Sequence, residues 1–401
     1  MKNVPTLRFQ EFSESWMFKK IGDITSLVKD GSHGTHQDVE RGPYLLSAKN
    51  IKNGKIVIQD DDRKISEEEY NAIYKNYSLE VGDVLLSIVG TIGRVAIVKE
   101  IQPIAFQRSV AILRFNKMNS KFIECCMNNT GFQNDLLKYQ VVSAQPGIYL
   151  NDLKKLKIYF PDLEEQEKIA SFFSLIDKKI ELQTEKVEEL KNYKKGIMQK
   201  IFSQELRFKD ENGSDYPEWK ENNLEKLIKV KSIRNKDNKV ELVLSVSNTK
   251  GFITQAEQFE DRVVASSDIS NYKIVEKDDF AFNPARINVG SIARLKTHEK
   301  GIISPMYVCF NCLKSLDSSY FEYFLTTHSF DVQMKKKLEG SVRQTLSAEA
   351  LSEIKIKLPT LLEQKKIGSV LNKINEKIET EELKLVQLSQ YKKGLLQQMF
   401  I

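Results

Sequence analysis

The chain is poor in the residues that most often do chemistry. Its 401 residues include four cysteines, four histidines and two tryptophans. Four cysteines in a chain this long do not make a disulfide framework. Cys309-x-x-Cys312 has metal-ligand spacing, but a closed zinc site needs a second pair. His33-x-x-His36 lies in the other half of the chain, and Cys125 and Cys126 are adjacent. Core and loop roles are expected for all of them, and no metal. No apolar run approaches a membrane span, and Val84 to Val89 has the length of a buried strand. The chain opens without an apolar signal core, so a cytoplasmic protein with no membrane partner is expected. No glycine-rich strand-to-helix loop stands out for a nucleotide cofactor. Neither sign of charge is in large excess. Against 55 Asp and Glu there are 61 Lys and Arg, a net +6 that suits nucleic acid but is common in proteins that bind none.

What the chain does have is one stretch written twice. Pro161 to Gln166, Tyr193 to Gly196 and Phe202 return as Pro359 to Gln364, Tyr391 to Gly394 and Phe400. The offset stays at 198 (359 − 161) without a gap, and about 21 of 46 positions from Lys157 onward are identical. Each copy reads as one long helix. Asp162-x-x-Glu165 and Thr360-x-x-Glu363 fit a capping box. The seam Ile169, Phe173, Ile176, Ile180, Gln183, Val187, Leu190, Lys194, Ile197, Ile201 alternates steps of four and three. The copy repeats it from Ile367 to Met399. A stripe that narrow asks for one partner helix. The two helices are expected to pair antiparallel, with Gln183 and Glu381 meeting at mid-seam to fix register.

Around the helices lie two globular halves on one plan. In the first, Leu45 to Ser47, Ile56 to Ile58, Val84 to Val89, Val95 to Val98 and Val110 to Phe115 read as strands. Ser66-x-x-Glu69 caps a short helix, and a longer one is expected from Ser120 to Leu137. In the second half Leu206-Arg207-Phe208 and Trp219 echo Leu7-Arg8-Phe9 and Trp16. Tyr320-Phe321-Glu322 echoes Phe122-Ile123-Glu124. Between such landmarks the halves differ. The expected fold is α+β, with two globular domains (1–157 and 203–355) separated by two long antiparallel coiled-coil helices (in 158–202 and 356–401), a pseudo-two-fold internal repeat.

No convergent catalytic set is visible. Asp162 … Glu167-Lys168 faintly resembles a nuclease pattern, but the copy has Thr360 in place of Asp162. Asn283-Pro284-Ala285-Arg286 lacks the second proline and the aromatic of an amino-methyltransferase motif. Loops that can donate to phosphates and base edges are better represented. In the first half the candidate DNA-binding residues are Lys29, Ser32, His33, Thr35, His36, Lys49, Asn50, Thr91, Arg94, Gln107, Arg108 and Gln145. In the second they are Ser247, Asn248, Lys250, Asn283, Arg286, Asn288, Arg343 and Gln344.

The combination resembles the specificity subunit of a type I restriction-modification system. The resemblance rests on the doubled Pro-x-Leu-x-Glu-Gln-x-Lys-Ile and Tyr-Lys-Lys-Gly motifs and on the Leu-Arg-Phe start of each half. It implies a non-catalytic chain whose two domains each read one half of an asymmetric bipartite DNA site. The paired helices would set the spacer and dock two modification subunits, which methylate adenine N6, and through them the restriction subunits. It implies no cofactor on this chain, S-adenosylmethionine on the modification subunit, and ATP and Mg on the restriction subunit. Residues kept in both copies but off the seam are the candidate docking surface. These are Glu165, Gln166, Lys168, Lys179, Tyr193 and Lys195, with Glu363, Gln364, Lys366, Lys377, Tyr391 and Lys393. A coiled-coil adaptor and a self-contained DNA-modifying enzyme remain as alternatives at this point.

The first half alone, through about Phe202, is expected to dimerise through its seam. With modification subunits it should mark a palindrome built from its own half-site. Marking of the original asymmetric site by that fragment would contradict the assignment.

Overall fold

The structure, a computed structural model, describes residues 4–141, 146–254, 268–340 and 344–401. The chain forms two compact units. The first comprises Met1–Glu185 with Glu382–Ile401, the second Lys186–Glu381.

In the first unit the strands are β1 (Met17–Lys20), β2 (Thr25–Asp30), β3 (Tyr44–Leu46), β4 (Ile51–Lys52), β5 (Lys55–Ile56), β6 (Val84–Ser87), β7 (Val95–Ile97), β8 (Ile104–Phe106), β9 (Val110–Phe115) and β10 (Lys157–Phe160). The helices are α1 (Ile21–Ile24), α2 (Glu67–Ile73), α3 (Ser120–Met127), α4 (Thr130–Lys138), α5 (Leu150–Leu153) and the start of α6 (Leu163–Phe202). A four-stranded antiparallel sheet runs in the order β2-β9-β6-β7. Both of its faces are covered, so β7 and most of β6 and β9 are continuously apolar rather than alternating. Val84, Leu86, Ala111 and Leu113 face the core that holds the helices. Leu85, Ala96, Val110 and Ile112 face a second core with Leu46, Ile104 and Phe106 from the parallel pair β3 and β8.

The second unit repeats the plan. Its strands are β11 (Lys220–Asn223), β12 (Ile228–Lys231), β13 (Val243–Ser247), β14 (Gly251–Thr254), β15 (Lys273–Glu276), β16 (Phe280–Phe282), β17 (Ile292–Arg294), β18 (Lys300–Ile303), β19 (Val308–Cys312) and β20 (Lys355–Leu358). Its helices are α7 (Ser318–Phe324), α8 (His328–Lys336), α9 (Ala348–Ser352) and the start of α10 (Leu361–Met399). The sheet β12-β19-β16-β17 matches β2-β9-β6-β7, and β13 pairs parallel with β18 as β3 does with β8. In both units a strand just before a long helix pairs with the opening strand, β10 with β1 and β20 with β11.

The long helices have 40 and 39 residues. Asp162 accepts a bond from the Glu165 N–H at 2.9 Å, and Thr360 from the Glu363 N–H at 3.4 Å. This is the forward half of the expected box. The glutamates do not turn back to the cap. Glu165 takes Arg8 in a two-pronged pair at 2.7 and 2.6 Å. Glu363 takes Arg207 at 3.0 Å and the Trp219 indole N–H at 3.1 Å. The two Leu-Arg-Phe segments are thus tied to the two helix starts.

The seams pair antiparallel in each unit. In the first, Ile169, Phe173 and Ile176 of α6 share a core with Leu395, Leu396 and Met399 of α10. In the second, Ile197, Ile201 and Phe202 of α6 share one with Ile367, Leu371 and Ile374 of α10. Each core is closed by a repeated phenylalanine. Phe400 lies 6.0 Å from Trp16 and 5.3 Å from Phe122. Phe202 lies 6.4 Å from Trp219 and 5.4 Å from Tyr320. Burying such a ring contributes about 1.5–3 kcal/mol. Within the second unit Glu381, at mid-seam, is buried and held by Lys186 at 3.1 Å and Lys377 at 3.3 Å.

One expected helix is two. The stretch from Ser120 breaks at Asn128 and Asn129 into α3 and α4. Asn129 caps α4 by accepting the Gly131 N–H at 2.6 Å, and its amide donates to the Leu396 carbonyl at 2.7 Å. A short amide that competes for backbone groups ends one helix and starts the next.

Asp177 of α6 binds Lys121 of α3 and Lys392 of α10, the latter at 2.5 Å. Burial alone would raise this carboxyl, but the two lysines outweigh it and hold its pKa below the ordinary aspartate value. A depressed carboxyl stabilises the fold above its unfolded pKa, and that gain is lost as pH falls through the folded one. Asp177→Asn should lower unfolding stability at pH 7 by on the order of 1–2 kcal/mol. The gap to wild type should narrow as pH falls below the ordinary aspartate range, as read by urea unfolding across pH.

Candidate nucleic-acid interface

The β8–β9 turn gathers the candidate loops of the first unit. The Arg108 N–H donates to the Ser32 carbonyl at 3.0 Å, and the Gln107 N–H to the Leu46 carbonyl at 2.8 Å. The Ser109 hydroxyl accepts the Ala48 N–H at 3.0 Å. The Ser109 carbonyl accepts the Ile88 N–H at 2.9 Å, and the Gly90 N–H donates to the Pro146 carbonyl at 3.1 Å. Segments 31–36, 47–50, 88–94, 107–109 and 146–147 therefore share one hydrogen-bonded rim. Gln145 lies outside the described residues.

Within this rim the candidates differ in freedom. Thr91 and Arg108 are exposed. Arg94 reaches only the Ala48 carbonyl, at 3.4 Å, and borders a polar cavity of about 470 Å³ with Lys52, Asn53 and Gln133. Lys29 lies over the Tyr77 ring at 4.3 Å. His33 pairs with Asp30 at 2.6 Å, and Lys49 with Asp62 at 2.7 Å. His36 bridges the Ser32 hydroxyl at 2.6 Å and Glu69 at 3.1 Å, which braces the loop bearing exposed Thr35. Asn50 is a correction. It is buried, accepts the Ser47 N–H, and donates to the Val57 carbonyl and Asp62. Its amide is used up inside the fold.

The second unit builds a comparable rim from other residues. The Asn283 N–H donates to the Ser291 carbonyl, and the Ser291 hydroxyl to the Val246 carbonyl at 3.2 Å. The Leu346 N–H donates to the Pro284 carbonyl at 3.0 Å. The β13–β14 turn, the β16–β17 loop and the segment before α9 are thereby joined. Asn248, Lys250, Arg286, Asn288 and Gln344 are exposed, and Ser247 is half-buried. Asn283 is the second correction, buried with its side-chain oxygen on the Ala285 N–H at 3.0 Å. Arg343 lies outside the described residues.

Partner choice separates the arginines. Arg8, Arg63, Arg114, Arg207 and Arg294 pair with carboxylates. Arg94, Arg108 and Arg286, all on the rims, have no carboxylate partner among the described residues; off the rims Arg41 and Arg234 also lack one, and Arg234 donates to the Asn271 amide oxygen at 2.8 Å. A guanidinium fork left open at a loop edge can take two acceptors of a guanine or a phosphate.

The candidate docking residues divide in the same way. Glu165, Gln166, Glu363 and Gln364 are 0–3% exposed. The two glutamates hold Arg8 and Arg207. Gln166 accepts the Asn119 N–H and donates to the Pro161 carbonyl, and Gln364 does the same with Asp317 and Pro359. They fasten each globular part to its helix start and have no face left for a partner. Lys168, Lys179, Tyr193, Lys195, Lys366, Lys377, Tyr391 and Lys393 are exposed. Of these, Lys168 pairs with Glu11, Lys366 donates to the Lys209 carbonyl, and Lys377 holds Glu381.

Cys309 is buried in β19, and burial pushes its thiol up to about 12. Among the described residues no group of three or more His, Cys, Asp or Glu could hold a metal ion, and no helix is long and apolar enough to cross a membrane.

Two similar units, each with a rim of donors and each completed by parts of both long helices, define a duplicated recognition module. The chain belongs to the family described as type I restriction modification DNA specificity domain, whose model matches residues 13–192 and 199–390. It is 26% identical over 432 residues to a Methanocaldococcus jannaschii protein named as the MjaX type I restriction enzyme specificity subunit, covering 98% of this chain and 95% of that one. It is 26% identical over 202 residues to the EcoBI specificity subunit of Escherichia coli, covering 48% of this chain and 42% of that one. Its fold is similar to the crystal structure of the type I restriction-modification S subunit from M. genitalium, with a TM-score of 0.59, 17% identity and 99% of each chain covered.

Because Asn50 is bonded inward and Arg108 is not, Asn50→Ala should destabilise the chain by about 1–3 kcal/mol. Arg108→Ala should change stability by less than about 0.5 kcal/mol. Urea unfolding of the two variants checks this.

Proposed function

We propose that the chain is the non-catalytic specificity subunit of a type I restriction-modification enzyme. Each unit reads one half of an asymmetric bipartite DNA site. The paired long helices set the unspecified spacer and dock two adenine-N6 methyltransferase subunits, and through them the restriction subunits. S-adenosylmethionine is expected on the modification subunit, and ATP and Mg on the restriction subunit. The observation that carries this reading is a repeated frame bearing unlike rims. The Arg–Glu pairs, the closing phenylalanines and the sheet order recur, whereas the rim residues do not. A kept frame holds two readers, and unlike readers need an asymmetric target.

Phosphate contacts would orient each unit, and side chains at the groove floor would supply sequence choice. The test is binding of duplexes by the chain together with its modification subunit. Affinity for the cognate duplex should exceed that for random sequence by roughly 10³-fold or more and fall with salt. Equal affinity for all duplexes would contradict the reading.

The open arginines give a sharper outcome. Arg108→Ala should relax choice only in the first unit's half-site, and Arg286→Ala only in the second's. Each should cost about 1–3 kcal/mol against the preferred base, as read by selection from randomised duplexes.

A further inference from the structure

The long helices contain three glycines, Gly196, Gly368 and Gly394. Glycine inside a helix weakens it, so each position needs a compensating reason. Gly368 has one in this chain, since a Cβ there would stand 2.8 Å from the Ser319 Cβ. Gly196 and Gly394 have none. A Cβ at either would meet nothing within 4 Å. They occupy the same place in the two copies, three residues after Tyr193 and Tyr391.

These tyrosines are 57% and 58% exposed. On a helix the neighbours of a residue on its own face are three and four positions away. Around Gly196 these are Asn192, Tyr193, Gln199 and Lys200, and around Gly394 they are Gln390, Tyr391, Gln397 and Gln398. All eight are exposed, and only Lys200 is charged. Segments 190–204 and 383–401 contain no acidic residue. Lys195 and Lys393, one position before each glycine, are exposed and make no ion pair among the described residues. Depletion of charge at the centre of a patch, with tyrosine beside it, is the composition of an interface.

We infer that Gly196 and Gly394 are notches against which one α-helix of a modification subunit packs, once in each unit, with Tyr193 and Tyr391 beside it as anchors. The missing side chain lets the partner backbone come close. The acid-free surroundings and the open lysines call for acidic residues flanking the contact on that helix. The same notch in both copies suits the same partner twice. This rests on the reading that the chain docks two modification subunits.

The test uses the full chain and the modification subunit of the same system. Native mass spectrometry counts subunits, titration gives each dissociation constant, and a thermal melt of the chain alone reports its fold. Wild type should bind two. Gly196→Leu and Gly394→Leu should each weaken one site by about thirtyfold or more, while the midpoint of the free chain stays level or rises. Tyr193→Ser and Tyr391→Ser should weaken the same respective sites. Two sites of unchanged affinity in the glycine variants, or weakened binding only with a lowered midpoint, would overturn the inference. A wild-type chain that binds no modification subunit would instead sink the docking reading beneath it.

Discussion

A helix with a narrow apolar stripe cannot bury that stripe by itself, and everything else in this structure follows from how two such helices are covered. Each unit takes the beginning of one long helix and the end of the other. The first core holds Ile169 and Phe173 together with Leu395 and Phe400. The second holds Ile367 and Leu371 together with Ile201 and Phe202. Neither core is complete without residues from both repeats. The globular parts then fasten to the helix starts by repeated polar contacts, Arg8 on Glu165 and Arg207 on Glu363. In each pair the glutamate is buried and the arginine only partly so; losing the arginine would leave a buried carboxylate without its partner, which is a reason for both members to appear in both copies.

That frame leaves the rims free to vary. The sheets β2-β9-β6-β7 and β12-β19-β16-β17 deliver loops to comparable places. The loops are joined to one another mostly by backbone bonds, with the Ser109 and Ser291 hydroxyls each adding one. Arg94 and Arg108 on one rim and Arg286 on the other are held by no carboxylate among the described residues. A frame fixed by side-chain identity, carrying rims joined largely by main-chain bonds, can change its exposed rim residues without changing how it folds.

Much of this was legible in the chain itself, because the signals were periodic or repeated. The four-three spacing from Ile169 to Ile201 and the cap at Asp162 placed the first helix almost to the residue. The strand from Val110 to Phe115 was read with its observed ends. The doubled Glu-Gln pairs were misread as docking residues. Heptad reasoning allows a helix one neighbour, whereas Glu165 and Glu363 sit where the globular part packs on a second face. The break at Asn129 was missed for a related reason. Its cap is held by the Leu396 carbonyl, far away in sequence. Asn50 and Asn283 look like loop donors on paper, but both are buried, Asn50 bonded to Ser47, Val57 and Asp62 and Asn283 to the Ala285 N–H. The glycines of the Tyr-Lys-Lys-Gly motif were visible from the start, but their surroundings were not.

The measurement that bears most directly on the account is a base-resolution map of N6-methyladenine in DNA from cells that express this chain with its modification subunit. The account predicts one bipartite motif with unlike halves, a constant unspecified spacer, and one methylated adenine in each half. A palindromic motif, a contiguous motif, or methylation without any motif would contradict it.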